Sequence, residues 1–503
     1  MKKIKVLFGS LIGLVSIIFL STGCNNNGAG SEKTGDGKVT ELPATSKSKE
    51  AVASFQEGLA AFDLADNKKA QNAFAKAIEL DPKFGIAYLY RANTSQSSKE
   101  FADDINMGKS NLDSASDWEK MYGEYQAANL TGDKKKQIET MEKIAATYPQ
   151  APRAQTDLSF AYFGNNEFDK AKAALDKALA MNAKWIPALS GLTTWYLFGN
   201  NKDPKKAEEN ALKVVELAPK SAGAQILLGD AYRAGNDFQK AKDAYAKAVS
   251  LDPDSPDGYS KEGNANTYLG NYDEARKNFK DGSTHDNNSS FYVAPTAFTY
   301  LYANGDYKTA IKALMDGAGT VDSSNKKAPS QKSSLYTSAS MIAFHFNDAA
   351  MLKQLTATLA PLSEKADNDL GTAEAKAFAK ADALNWQAMV AIADGKYDDA
   401  KAKAEEMKTA LDPIKDDRKL ETYHYLMGQI SMKQKNYADA VAHFEKADWT
   451  NQIYYKYWLA MANEAAGNKD KAMSLYKEIA NYNFNDVGNA LVRSEVKKKV
   501  ATP

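Results

Sequence analysis

The chain carries four histidines, His285, His345, His424 and His443. They are the residues to question first, because imidazole serves both as a general base and as a metal ligand near neutrality. No two of them stand at the H-x3-H spacing that would place both on one helix face. His424 and His443 fall on the two helices of one predicted hairpin, where they can approach each other. No third ligand accompanies them, so packed or solvated imidazoles are expected. Cys24 is the single cysteine, which excludes a thiolate metal site in the body and an internal disulfide. "DPDSPDG" from Asp252 to Gly258 imitates a calcium loop, but Asp257 is out of register and Gly263 stands where the closing glutamate belongs. "GDGK" at 35–38 fails as a phosphate loop, with Glu32 in place of the first glycine and Val39 in place of the hydroxyl. Neither G-x-S-x-G nor H-E-x-x-H occurs. The chain is therefore expected not to be an enzyme and to use no cofactor and no metal.

Lys and Arg together number 64 and so do Asp and Glu, giving a formal net charge of zero. A general nucleic-acid binder would show a basic excess, so no nucleic acid is expected among the partners. The N-terminus is different in character. Lys2, Lys3 and Lys5 precede an apolar run from Val6 to Leu20, then small residues and Cys24. This is the layout of a secretory signal peptide, and the run is shorter than the roughly 18–20 residues of a membrane span. The "FLSTGC" end resembles the bacterial lipobox, in which the cysteine is lipidated and becomes the mature N-terminus. Thr22 and Gly23 fit that pattern, whereas Ser21 stands where an aliphatic residue is usual. The resemblance implies a lipoprotein anchored through Cys24 in a bacterial cell envelope, at the outer membrane facing the periplasm. Residues 25–48 are polar and read as a flexible tether.

The elements that would position any site are written in a repeated sentence. In "LLGDAYRAGNDFQKAKDAYAKAVSLDP", Leu227 to Pro253, the residues Gly229, Tyr232, Ala241, Tyr245, Ala248 and Pro253 stand at intervals that return along the chain. Gly58, Ala70, Phe74, Ala77 and Pro82 repeat them, as do Gly263, Ala275 and Phe279, and Gly428, Ala440, Phe444 and Ala447. Apolar spacing of i, i+3, i+4, i+7 predicts two amphipathic helices per unit. Small residues let the two helices approach, the aromatic fills the space that remains, and proline ends the second helix. The unit near Leu189–Pro219 carries about two extra residues around "NNKDP". Residues 83–117 fit the frame poorly but remain helix-compatible, and 335–370 read as two degenerate helices. In the last helix Asp486 is an N-cap, Val487, Ala490 and Leu491 share one face, and Arg493 and Lys497–Lys499 lie largely on the others.

This spacing resembles the tetratricopeptide repeat. The resemblance implies an all-α solenoid of antiparallel helix pairs forming a right-handed superhelix with a C-terminal capping helix. The expected organisation is a signal peptide at 1–24, the tether at 25–48, a first array at 49–319, a loop or joint at 320–334, and a second array with the cap at 335–503. The family binds protein or peptide partners in its concave groove through fixed positions of each first helix. Carried onto this chain, those positions are Phe160 and Phe163, then Asp230 and Arg233, then Asn264, Tyr268, Tyr292 and Tyr302, and later Tyr425 and Tyr457. Tyr122, Thr299 and Tyr454 share the frame. Ser260, Ile226 and Thr156 stand where the chaperone-binding subgroup has a basic residue, so its carboxylate clamp is absent. The expected function is a membrane-anchored extracytoplasmic scaffold for a protein partner, possible roles including envelope assembly. The alternative is a carbohydrate- or nutrient-capturing outer-membrane lipoprotein, although the six tryptophans are scattered through the repeats.

Overall fold

A computed structural model describes residues 42–501 apart from 65, 96–97, 287–288, 324–327, 369–372, 415–417 and 448–451. The signal peptide, Cys24 and the tether up to residue 41 lie outside the described residues. Among the described residues there are 25 α-helices and no strand. Two compact units divide the chain, one ending at Lys261 and the other beginning at Glu262.

The N-terminal unit stacks α1 (Lys49–Phe62), α2 (Asn67–Leu80), α3 (Gly85–Ala92), α4 (Ser98–Ser110), α5 (Asp117–Thr131), α6 (Lys134–Thr147), α7 (Pro152–Gly164), α8 (Phe168–Met181), α9 (Ile186–Phe198), α10 (Pro204–Leu217), α11 (Ala222–Ala234) and α12 (Phe238–Leu251). The division falls inside α13 (Pro256–Leu269). The C-terminal unit continues with α14 (Tyr272–His285), α15 (Val293–Asn304), α16 (Tyr307–Thr320), α17 (Ala328–His345), α18 (Ala349–Asn368), α19 (Ala373–Ala393) and α20 (Tyr397–Ala410). It ends with α21 (Glu421–Lys433), α22 (Tyr437–Lys446), α23 (Ile453–Ala465), α24 (Lys469–Ala480) and α25 (Val487–Ala501). The poorly fitting 83–117 stretch forms α3 and α4, and α3 has only 8 residues. The described residues of the polar 320–334 stretch lie within the C-terminal unit: 321–323 follow α16, and 328–334 form the first turns of α17, which packs on α16. Val321 and Ala328 join the core of that unit.

Many of the hairpins share the same local rules. The first helix ends where one residue turns left-handed: Asn166, Asn236 and Asn347, or Gly270, Gly305, Gly395 and Gly467, all have φ between 56° and 88°. Asparagine and glycine tolerate that conformation best; Lys435, at φ 63°, is the exception. An aspartate then caps the second helix. Asp66, Asp133, Asp203, Asp237 and Asp306 each accept the backbone N–H three residues on, at 3.0–3.1 Å for four of them and 3.2 Å for Asp237. The repeated alanine is sealed: Ala70, Ala171, Ala207, Ala241, Ala275, Ala310, Ala400 and Ala440 are all 0% exposed. The repeated glycine lies under the repeated aromatic. A Cβ on Gly58, Gly229, Gly263 or Gly428 would meet the ring of Phe74, Tyr245, Phe279 or Phe444 at under 3.0 Å.

The last residues of the expected tether, 42–48, lie along the N-terminal unit. Leu42 and Ala44 pack against its core, and Trp118 donates its indole N–H to the Pro43 carbonyl at 2.5 Å. The Thr45 hydroxyl donates to Glu119 at 2.6 Å, and Ser46 donates to Asp81 at 2.5 Å.

Substitutions in one hairpin test this packing. Ala241→Leu and Gly229→Ala should each destabilise the protein by about 1–3 kcal/mol in urea unfolding, because the filled space beside them cannot expand. Lys242→Leu, at a partly exposed position, should leave the midpoint unchanged. Equal effects at positions 241 and 242 would place the packing face of the hairpin elsewhere.

Candidate functional site

The groove positions of the N-terminal unit are Phe160, Phe163, Asp230 and Arg233. Asp230 and Arg233 lie one turn apart on α11 and are 8% and 7% exposed. Asp230 accepts the Tyr245 hydroxyl at 2.7 Å and the Lys261 ammonium at 2.8 Å on both carboxylate oxygens. Arg233 Nε stands 3.6 Å from the same carboxylate. Burial by itself would raise the Asp230 pKa, but Lys261 and Arg233 outweigh it and hold the carboxyl below the usual aspartate range. These two charges thus brace α11 against α12 and the start of α13. Phe163 is 7% exposed and packs edge-on to Phe168, with ring centroids 5.1 Å apart. Phe160 is only half-buried.

A second polar cluster in this unit gathers residues from four helices. Arg153, in the first turn of α7, gives its guanidinium fork to both oxygens of Asp63, the C-cap of α1; one of these bonds is 2.6 Å. Asp157, one turn further along α7, is 3.9 Å from Arg153 and accepts the Tyr90 hydroxyl at 3.2 Å. Burial, opposed by Arg153 and reinforced by Asp63, lifts the Asp157 carboxyl to about 6. Tyr122 stacks on Tyr90 with centroids 4.9 Å apart, and the half-buried Tyr125 lies 5.6 Å from Tyr122.

In the C-terminal unit the groove positions meet the chain's own last helix. α25 packs against α15, α17, α23 and α24. Asn485, just before it, donates its amide to Asn264 at 2.8 Å. Asn489 donates to the Tyr268 hydroxyl at 3.2 Å and to the Phe484 carbonyl at 2.9 Å. The Arg493 guanidinium lies 4.6 Å above the Tyr268 ring and donates to the Tyr482 carbonyl at 2.7 Å. Tyr302 packs edge-on against Tyr268 at 6.0 Å. Tyr457 donates to Glu495 at 2.8 Å. Thus Tyr268 and Tyr457 contact the last helix directly, Asn264 meets the segment that leads into it, and Tyr302 reaches it through Tyr268.

The expectation for α25 itself needs correction at Arg493. Val487, Val492 and Val496 are 0–2% exposed, Asn489 is 0% and Arg493 is 5%. Arg493 therefore lies inside the unit and not on the helix's polar face, because the Tyr268 ring and the Tyr482 carbonyl give its charge a buried setting. The signal was present in the sequence: Asn489 and Arg493 stand four residues apart on the predicted last helix and so share one face.

The remaining expected positions are structural neighbours. Tyr292 is 5% exposed and packs with Ala275 and Phe279. Tyr425 is 2% exposed and meets Tyr455 edge-on at 4.0 Å. The Nδ1 atoms of His424 and His443 come within 3.1 Å of each other. Burial first, then the neighbouring His443, lowers the His424 pKa to about 4, so the pair shares one hydrogen bond between neutral rings at physiological pH. His345 Nδ1 lies 3.1 Å from the Tyr454 hydroxyl. Among the described residues no group of three or more His, Cys, Asp or Glu side chains is arranged to hold a metal ion.

Models of the tetratricopeptide repeat match residues 51–84, 122–196, 421–448 and 454–483, and a model of the TPR repeat matches 229–267. No curated protein sequence matches the chain. Among solved structures, yeast Tom70 is similar, at 18% identity over 86% of this chain and 92% of that one, with a TM-score of 0.43. A tetratricopeptide repeat protein from Parabacteroides merdae is similar at 14% identity over 69% of this chain and 98% of that one, with a TM-score of 0.34. Pseudomonas aeruginosa PilF is similar at 17% identity over 44% and 97%, with a TM-score of 0.32. The hairpins, their sealed alanines and the matched segments agree: this chain carries tetratricopeptide repeats in an all-helical solenoid.

Proposed function

We propose that this chain is a lipid-anchored extracytoplasmic scaffold of the bacterial cell envelope that binds a protein or peptide partner. The tetratricopeptide fold supports the scaffold part of this reading, because such repeats form fixed surfaces that add little ordering cost on binding. The signal-peptide layout and Cys24 support the anchor. Two or more acyl chains on one cysteine would satisfy the requirement of more than one signal for stable membrane attachment. Our reading further places it at the outer membrane facing the periplasm, with a part in envelope assembly.

The observation that carries the choice of surface is the use already made of the groove positions. In the C-terminal unit Asn264, Tyr268 and Tyr457 are engaged by α25 and its lead-in. In the N-terminal unit the groove position Phe160 is half-buried, as is Tyr125, which lies beside the ring of Tyr122. Aromatic rings offer a large, stiff contact area, as interface hot spots do. The partner is accordingly assigned to the inner face of the N-terminal unit.

Affinity capture from a native envelope extract, with the wild-type chain and variants side by side, tests the surface. Phe160→Glu and Tyr125→Glu should each lose a partner that the wild type and Lys242→Glu retain, with helical content unchanged. Retention by the first two and loss by the third would overturn the assignment. The anchor is tested separately: Cys24→Ser should abolish labelling by a palmitate analogue and release the protein from the membrane fraction. Labelling that survives would refute acylation at this residue.

A further inference from the structure

The two extra residues near "NNKDP" leave a physical trace. The turn between α9 and α10 has five residues, 199–203, where the turn between α11 and α12 has three, 235–237. Beside the longer turn a cleft of about 520 Å³ opens between α8, the end of α9 and the start of α10. Asp169, Lys172 and Asp176 line it from one face of α8. Trp195 and Tyr196 form its aromatic wall, and Lys202, Asp203 and Lys206 close it from the turn and α10.

The wall is fixed. Trp195 donates its indole N–H to the Phe168 carbonyl at 2.7 Å and is 3% exposed. Tyr196 stands edge-on to it, with centroids 5.1 Å apart at 86°, and is half-buried; the Lys206 ammonium lies 5.6 Å from the Tyr196 ring centroid and the Lys172 ammonium 5.9 Å from that of Trp195. The charges are balanced: three carboxylates face three ammonium groups. Lys172 pairs with Asp176 at 2.8 Å and Lys206 approaches Asp203 at 3.9 Å, while Asp169 accepts the Asn200 amide at 3.1 Å. A phosphate here would meet three carboxylates, and a metal ion would meet three ammonium groups. Neither gains from the field of the site. A ligand suited to it offers groups that both donate and accept, so that one part bonds to a carboxylate and another to an ammonium. It also has a C–H face to lie against a ring. Those are the properties of a neutral sugar, and the volume falls within the usual range of small-ligand clefts, roughly 300–1,000 Å³.

We propose that this cleft is a binding site for a neutral saccharide. Tyr196 supplies the ring, Asp169 accepts from one hydroxyl, and Lys202 donates to another. The site is separate from the inner face assigned to a protein partner, so either reading can fail alone.

The test uses the full chain with maltose, cellobiose and N,N′-diacetylchitobiose as probes and glycylglycine and inorganic phosphate as comparisons. Binding is read by ligand-observed saturation-transfer NMR and by tryptophan fluorescence. At least one disaccharide should bind, and its affinity should fall about tenfold or more in both Tyr196→Ala and Asp169→Asn, with circular dichroism unchanged. The proposal is overturned if no disaccharide gives saturation transfer at millimolar concentration, if binding survives both substitutions, or if only glycylglycine or phosphate binds. Should Tyr196→Ala lose helical signal, Tyr196→Phe, which keeps the ring, must retain the affinity and Asp169→Asn must still lose it.

Discussion

The structure depends on one close contact, a glycine of the first helix of a hairpin against an aromatic ring sixteen residues later on the second. It recurs at Gly58 and Phe74, Gly229 and Tyr245, Gly263 and Phe279, and Gly428 and Phe444. The missing Cβ lets the ring lie flat against the first helix backbone, which sets the separation of the two helices. The sealed alanine of the second helix and the left-handed turn between the helices only work at that separation. In the hairpin of α23 and α24 alanine takes the glycine's place: Ala460 faces the repeat position of Tyr476, and both are buried. A hairpin held this way still exposes one apolar flank, and stacking the next hairpin on it covers that flank.

Repetition leaves ends and inner faces to be dealt with, and in each unit the chain does so with its own residues. In the C-terminal unit α25 brings three valines into the core, while its amides and guanidinium meet Asn264 and Tyr268. Burying Arg493 without partners would be costly; the Tyr268 ring face and the Tyr482 carbonyl offset that cost. In the N-terminal unit Asp63 at the end of α1 takes the fork of Arg153 on α7. Two carboxylates, Asp63 and Asp157, share that one guanidinium, which is why burial can lift Asp157 to about 6 while its neighbour stays paired. These closures fix which groove positions the chain's own residues engage in each unit.

Much of the fold was legible because its rules are local. The glycine, alanine and aromatic intervals lie within one hairpin, and the asparagine and glycine turns and aspartate caps depend on neighbours a few residues away. The candidate site was less legible. Family positions correctly mark Asn264, Tyr268 and Arg233 as residues of the first helices. They do not reveal that Asn485 reaches Asn264 across 221 residues, or that Arg153 reaches Asp63 across 90. Such contacts are set by how many hairpins are stacked and how tightly, which no single repeat encodes.

The central claim is that α25 is a built-in part of the C-terminal unit and fills groove positions that would otherwise be open. Hydrogen–deuterium exchange on the intact chain tests it most directly, because exchange reports the local opening free energy of each helix. The account predicts that amides of residues 490–496 are protected as strongly as those of α23, and that Asn489→Ala with Arg493→Ala lowers protection in α25 and around Tyr268 together. Rapid exchange throughout α25 in the wild-type chain, with α23 still protected, would contradict it.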